Sequence, residues 1–388
     1  MLRKVTDMEV TRTIGPTGSP TPERRHAPRG ASGRRSSKRA TGSSLTYLVT
    51  GGAGFIGSHL ADRLVARGQR VIALDDLKGG SPANLAGALA SGRAELVEGS
   101  VLDRDLVERC MSEADFCVHL AAALGVTHIV DRPLSTLLSN VRGADIVMAT
   151  AHGHGVPLLF ASSSEVYGKQ SAPDLREDAD CTIGAPSRSR WSYAIAKQFG
   201  ESLVNAYVQD AGAQMAAVRF FNIVGARQNG AYGMVLTRFV DQALAGEPLT
   251  VHGDGSQSRC FTSVHDAVSA VDGLLRATLR AGAIYNVGAS SSIRVDDLAR
   301  RVIARTASRS GITYVPYVEA YGPGYEELGR RNPDTSTLRA ETGWTALRSL
   351  DEVIDEVVAT RGRAAAPVPV VTLKARGTGR LTPARATA

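Results

Sequence analysis

The 388-residue sequence predicts an α/β fold, a doubly wound parallel sheet followed by a smaller C-terminal α/β domain. Three observations predict it. Short β-prone runs alternate with stretches of helical periodicity through about residue 225. A glycine-rich turn joins the first of those runs to the first helix. Beyond about residue 225 the alternation loosens, as expected of a smaller domain grafted onto the sheet.

Taken in order, Thr46-Tyr47-Leu48-Val49-Thr50 is the first strand. The turn Gly51-Gly52-Ala53-Gly54-Phe55-Ile56-Gly57 follows. Ile56, Leu60 and Leu64 then recur at helical spacing, with Arg63 and Arg67 left for the outer face. Residues 70–74, 94–98, 116–120, 158–161 and 215–219 predict five further strands, with helical stretches between most of them. Such alternation implies parallel strands covered by helices on both faces. His152 and His154, beside Gly153 and Gly155, read as a loop. There is no internal repeat.

Composition excludes several classes of function. Hydrophobic residues make up 43% and charged residues 21%, ordinary for a globular protein. No run approaches the roughly 18 apolar residues of a membrane span. Cys110, Cys117, Cys181 and Cys260 are scattered without a CxxC pair, and the eight histidines lack ligand spacing, so neither a disulfide framework nor a metal site is expected. The net charge of +7 is confined to residues 1–44, where ten Lys/Arg face three Asp/Glu. A basic segment without aromatic platforms or a recognition motif argues against a nucleic-acid binder. Arg, Ser, Gly and Pro dominate it, and it has too little apolar surface to offset the entropy of ordering. It lacks the apolar core of a secretory signal, so a cytoplasmic location is expected. Its composition also fits a transit peptide, or a start codon assigned too far upstream. The expected organisation is a disordered extension over 1–44, a dinucleotide-binding domain over 45–225, a substrate domain over 226–360 partly interleaved with it, and a disordered tail over 361–388.

Two local patterns carry chemistry. Gly51, Gly54 and Gly57 sit between a strand and a helix. There they permit a tight turn, close approach of backbone to a pyrophosphate, and a helix N-terminus aimed at negative charge. Asp75, at the end of the second strand, suits hydrogen bonds to adenosine ribose hydroxyls and repels a 2′-phosphate, which favours NAD over NADP. Together they make the sheet Rossmann-type. Tyr193 and Lys197 are one helical turn apart and share a face. A tyrosine with a pKa near ~10 is a poor base, and the expectation is that Lys197 and a nicotinamide cation pull that value down. Ser162-Ser163-Ser164-Glu165 leaves the end of the fifth strand, where ligands of such sheets bind, and offers a hydroxyl that could share a proton with Tyr193.

With Gly51/Gly54/Gly57, Asp75, His119-Leu120-Ala121-Ala122, Asn140, Ser163, Tyr193 and Lys197 in place, the sequence over roughly residues 45–360 resembles the extended short-chain dehydrogenase/reductases. Within them it looks most like the UDP-glucuronate decarboxylases. Ser163-Ser164-Glu165-Val166-Tyr167-Gly168 is similar to their Thr-Ser-Glu-Val-Tyr-Gly loop, and Arg190-Trp191-Ser192-Tyr193 to their Arg-Trp-x-Tyr. Arg219-Phe220-Phe221-Asn222, Thr250 to Arg259, and Gly322-Pro323-Gly324-Tyr325 with Arg331 resemble their substrate segments. Ala226 replaces a usual Pro, and residues 124–130, which should line the sugar pocket, depart from the pattern. The resemblance implies NAD contacts at Gly51, Gly54, Phe55, Ile56, Gly57, Asp75, Ser100, Val101, Leu120, Ala121, Ala122, Asn140, Tyr193, Lys197 and Phe221. It implies substrate contacts at Ser164, Arg190, Asn222, Thr250, Arg259, Tyr325 and Arg331. Catalytic roles fall to Ser163, Glu165, Tyr193, Lys197 and Arg331, in a homodimer acting on a UDP-sugar.

The chemistry so implied is oxidation of UDP-glucuronate at C4, loss of CO₂ from the resulting β-keto acid, and reprotonation at C5 by Arg331 or a water it orders. The product would be UDP-xylose or the released 4-keto-pentose. Glu165 would orient the sugar or assist proton traffic. A UDP-hexose 4-epimerase would need the same Tyr, Lys and hydroxyl but neither Glu165 nor Arg331. A 4,6-dehydratase ranks third, because Ser164 stands where dTDP-glucose-type enzymes carry an Asp, and GDP-mannose-type enzymes usually take NADP.

Overall fold

The computed structural model describes residues 44–123, 133–170, 172–228, 234–322, 326 and 330–361. The expected strands form within two residues of their expected ends, with β4 one residue shorter: β1 Thr46–Thr50, β2 Arg70–Asp75, β3 Ala94–Glu98, β4 Phe116–His119, β5 Leu158–Ser163 and β6 Met215–Phe220. Between them run α1 Phe55–Ala66, the short α2 Ala86–Ala90, α3 Arg104–Ser112, α4 Pro133–His154 and α5 Ser192–Ala211. His152 and His154 belong to the last turn of α4, not to a loop; the chain leaves the helix at Gly155, whose φ of 65° suits glycine.

Seven strands pair in parallel in the order β11-β6-β5-β4-β1-β2-β3, where β11 is Ile284–Val287. The chain winds outward in one direction from β1 to β3 and in the other from β4 onward. A crevice therefore opens at the carboxyl ends of β1 and β4, the switch point where ligands of such sheets bind. Strand alternation sorts the core into two layers. Tyr47, Val49, Val71, Ala73, Val118, Leu159 and Val218 pack on one side with α1 and with a later helix, Val264–Arg276. Leu48, Ile72, Leu74, Cys117, Leu158, Phe160 and Met215 pack on the other with α3 and α4. Period-two burial on both faces explains why these strands read as nearly continuous apolar runs.

Beyond β6 the described elements are β7 Ile223–Val224, α6 Val235–Ala245, β8 Leu249–His252, β9 Ser258–Cys260, β10 Thr262–Ser263, α7 Val264–Arg276, then β11, β12 Ser292–Arg294, α8 Val295–Arg305, β13 Ile312–Val315, α9 Tyr317–Tyr321, β14 Arg330–Arg331, α10 Ser336–Thr342 and α11 Leu350–Arg361. α7 and β11 return to the large sheet. Phe239, Val240, Leu298, Val302, Ile354 and Val357 build a separate core where α6, α8 and α11 meet. In the small sheet β12-β9-β14, β14 runs parallel to β9 and brings Arg331 into register with Arg259. Among the described residues no helix is long and apolar enough to cross a membrane.

Candidate active site

The glycine turn is shaped by contacts that leave no room for side chains. Gly51 has φ 70°, donates to the Leu74 carbonyl at 2.7 Å, and an added Cβ would lie 2.8 Å from the Ala121 nitrogen. At Gly57 an added Cβ would lie 2.2 Å from the Gly51 carbonyl oxygen. Gly54 is the N-cap of α1, with no side-chain cap and no acidic residue in the first turn, so the positive end of the helix meets the crevice uncompensated. Phe55 and Ile56 open that helix. Asp75 fastens the turn, accepting from Ala53 N at 3.0 Å and Leu77 N at 2.8 Å. Its burial raises the carboxyl pKa, and those N–H bonds oppose the rise. Each oxygen keeps acceptor capacity for a ribose hydroxyl. This bare cradle, uncapped helix end and acid fit a dinucleotide.

On the other wall, Asn140 holds the loop after β4, accepting from Ala123 N at 2.7 Å and donating to the Ala123 carbonyl at 3.1 Å. Thr50 bonds His119 Nδ1 at 2.6 Å and accepts from Ala121 N at 3.3 Å, so Leu120, Ala121 and Ala122 are carried on the paired ends of β1 and β4. Burial and the Lys197 charge push His119 down to about 3, so the ring is neutral. Val101 packs against Gly143 of α4, and Ser100 caps the turn into Leu102.

Tyr193 and Lys197 occupy the first two turns of α5, beside β5. Lys197 is 4% exposed, donates to the Ala161 carbonyl at 2.6 Å, and stands 5.7 Å from the Tyr193 ring centroid. The Tyr193 phenol departs from expectation. Burial and the Glu165 charge push its pKa up, against a hydrogen bond with the Ser163 side chain that pulls it down, and Lys197 is not among the causes. Desolvation acts first on a buried phenol, and the Glu165 charge adds to it.

Glu165 gathers the arginines. Arg331 bonds one oxygen at 2.6 Å and Arg190 the other at 3.1 Å, and Arg331 also reaches the Ser164 hydroxyl at 3.4 Å. Burial would raise the Glu165 carboxyl, but Arg331, Arg190 and Arg259 outweigh it and hold it at about 2. Glu165 is therefore ionised at neutral pH. Arg190 lies over the Trp191 ring and donates to the Glu326 carbonyl at 2.7 Å. Asn222 has φ 39°, a left-handed conformation that Asn tolerates, with its amide on the Cys260 carbonyl at 3.0 Å. Phe221, expected at the cofactor, is fully buried with Tyr167, Leu175 and Cys260. Thr250 lies in another sheet, on β8, bonded to Gln242 at 3.0 Å. Tyr325 and residues 124–130 lie outside the described residues.

Beneath the reactive pair is a network the sequence reading missed. Glu201, one turn beyond Lys197 on α5, accepts from Ser162 at 2.5 Å and from Arg219 at 2.8 and 2.7 Å, all buried. Its four-residue spacing from Lys197 was the available signal. Burial lowers Lys197 to about 8, and the Glu201 charge opposes that fall.

Against known proteins, the model of the NAD dependent epimerase/dehydratase family matches residues 47–288. The UDP-N-acetyl-alpha-D-glucosaminuronate decarboxylase of Bacillus cytotoxicus is 38% identical over 294 residues, covering 75% of this chain and 90% of its own. UDP-glucuronic acid decarboxylase 1 of Danio rerio is 31% identical over 311 residues, covering 80% and 71%. Among solved structures, a dTDP-glucose 4,6-dehydratase from Streptomyces venezuelae with NAD and TYD bound superposes with TM-score 0.74 at 26% identity, over 82% of this chain and 97% of that one.

Two outcomes are expected. Gly57→Ala will weaken dinucleotide binding roughly tenfold or more, read by calorimetry, because the methyl must displace the Gly51 carbonyl. Glu201→Gln will move the alkaline limb of the rate profile to lower pH. Burial holds Lys197 at about 8 and the Glu201 carboxylate opposes that fall, so its removal lowers Lys197 further and a rate that needs the ammonium follows it. A limb that stays in place in Glu201→Gln would refute the coupling.

Proposed function

The chain belongs to the NAD-dependent epimerase/dehydratase family, and on that premise we propose that it decarboxylates a UDP-linked hexuronate through a 4-keto sugar. The substrate is UDP-glucuronate or its 2-acetamido counterpart, UDP-N-acetylglucosaminuronate. The carrying observation is the arginine group at Glu165: Arg331 and Arg190 on its two oxygens, with Arg259 in register beside Arg331. Guanidinium forks bind carboxylate and phosphate in bidentate fashion, and a UDP-hexuronate brings both. The names of the two decarboxylases with 38% and 31% identity support the same reading.

Bound NAD supplies a reversible hydride acceptor for C4 of the sugar. The cradle of Gly51, Gly54 and Gly57, with Asp75, holds it. Tyr193, as phenolate, takes the proton of the C4 hydroxyl, and Ser163 shares that hydrogen bond. Lys197 is the positive charge the chain places beside the ring. The arginines hold the C6 carboxylate until the C5–C6 bond breaks. Its electron pair then moves toward the C4 oxygen, where Tyr193 and Ser163 donate hydrogen bonds, and CO₂ leaves. Glu165, held ionised, is an orienting group and not the acid; the proton for C5 comes from a water ordered by Arg331.

Four free cysteines, three of them buried, suit a reducing cytoplasm. Exposed Leu134 on α4 and Phe199 on α5, 69% and 39% exposed, offer apolar contact for a homodimer.

The test is incubation of purified protein and NAD with UDP-glucuronate, UDP-N-acetylglucosaminuronate and UDP-glucose, followed by CO₂ release and product mass. One of the two uronates should lose CO₂, and Tyr193→Phe should slow that loss about 100-fold or more. Inert uronates together with inversion of UDP-glucose at C4 would replace this reading with the 4-epimerase.

A further inference from the structure

Away from the sugar site, α1, α7 and α11 meet along one side of the molecule, and each contributes one metal-ligating side chain. These are His59, His265 and Glu356, whose ligand atoms all lie within 4.8 Å of one another. His59 is buried, and its Nδ1 bonds the Phe55 carbonyl one turn back at 2.9 Å. That bond fixes the ring and leaves Nε2 as the ligating nitrogen, the arrangement by which backbone carbonyls orient metal-bound histidines. The His59 and His265 rings meet edge-on with centroids 5.2 Å apart, and His265 Nε2 is 3.0 Å from Glu356 Oε1. The three side chains line a cleft of about 740 Å³, together with Asp62 and Arg227. The cleft gives an ion an entry path and room for water. The facing cations are engaged with carboxylates: Arg227 with Asp62 at 2.7 Å, Arg63 with Asp272 at 2.9 Å, and Arg348 with the second oxygen of Glu356 at 3.3 Å.

We propose that His59, His265 and Glu356 form a binding site for a divalent first-row cation, best matched by Zn²⁺. Two imidazole nitrogens and one carboxylate are the borderline donor set that Zn²⁺ takes, with a fourth position left to water. Zinc bonds of about 2.0–2.2 Å draw ligands closer than 4.8 Å. His265, its side chain 43% exposed against 18% for Glu356, is the more open of these two ligands and the one whose ring would shift to close that gap. The bound ion clips α11, the last described helix, to the helix that carries the glycine turn. Neither the hydride chemistry nor the arginine group uses these residues, so the inference stands independently of the proposed reaction.

The experiment titrates the full chain, stripped with chelator and free of NAD, with Co²⁺ followed by d–d absorption and with Zn²⁺ followed by calorimetry. One equivalent should bind, with affinity reduced about tenfold or more in His265→Ala and in Glu356→Gln. Circular dichroism should be unchanged in both variants. Zn²⁺ should raise the thermal midpoint of the parent chain and leave that of the variants in place. Absence of uptake by the parent chain overturns the proposal, as does equal affinity in parent and variants, which would put the ion elsewhere.

Discussion

A buried ammonium is the constraint around which this molecule is arranged. Lys197 is almost fully enclosed, and its donors must be answered inside the protein. The Ala161 carbonyl at 2.6 Å answers one, and it lies just past Phe160, the last β5 residue that pairs with β4. The charge needs an anion, and Glu201 is placed one turn along the same helix. Glu201 is itself buried and is held by Ser162, the next residue of β5, and by both arms of Arg219 from β6. Removing one partner of such a buried pair typically costs about 3–5 kcal/mol. The neighbouring strand ends and α5 are thereby locked to one another, and Tyr193 and Ser163 inherit that fixed geometry.

The second layer of charge works in the opposite sense. Glu165 lies on the far side of Tyr193 and raises the phenol, while the arginines keep Glu165 ionised. In this state the phenol is a proton donor at rest. Positive charge brought to the ring would favour the phenolate.

Much of this was legible in the sequence where the information is local. The six strands through residue 220, the glycine turn, Asp75 and the Tyr193–Lys197 pair each lie within one or two elements, and periodicity or spacing exposes them. β11 was not foreseen, because its partner β6 precedes it by more than 60 residues and the chain between them belongs largely to other layers. Spacing shows Lys197 near Tyr193, but it shows neither the burial of the phenol nor the Glu165 charge that together raise it. Phe221 follows the end of β6 and its ring is buried with Tyr167, Leu175 and Cys260, which its place in the sequence beside Asn222 does not reveal. His152 and His154 looked like loop residues because glycines flank them, but the helical pattern of α4 overrides that local signal.

What sequence spacing hides is the class of contact made across the whole chain. Arg331 and Glu165 are separated by 166 positions. They meet because β14 adds to β9 in parallel, and β12-β9-β14 is a small sheet whose register is set by backbone pairing rather than by either charged residue. His59, His265 and Glu356 span still more of the chain, on helices that serve two different cores, α1 and α7 one and α11 the other. Helix packing fixes the separation of backbones and leaves the choice of side chain at each crossing open. Two imidazoles and a carboxylate within 4.8 Å of one another, with one ring already anchored by its own helix, are a chemical choice that hydrophobic packing does not require, and they mark a place to look for a ligand.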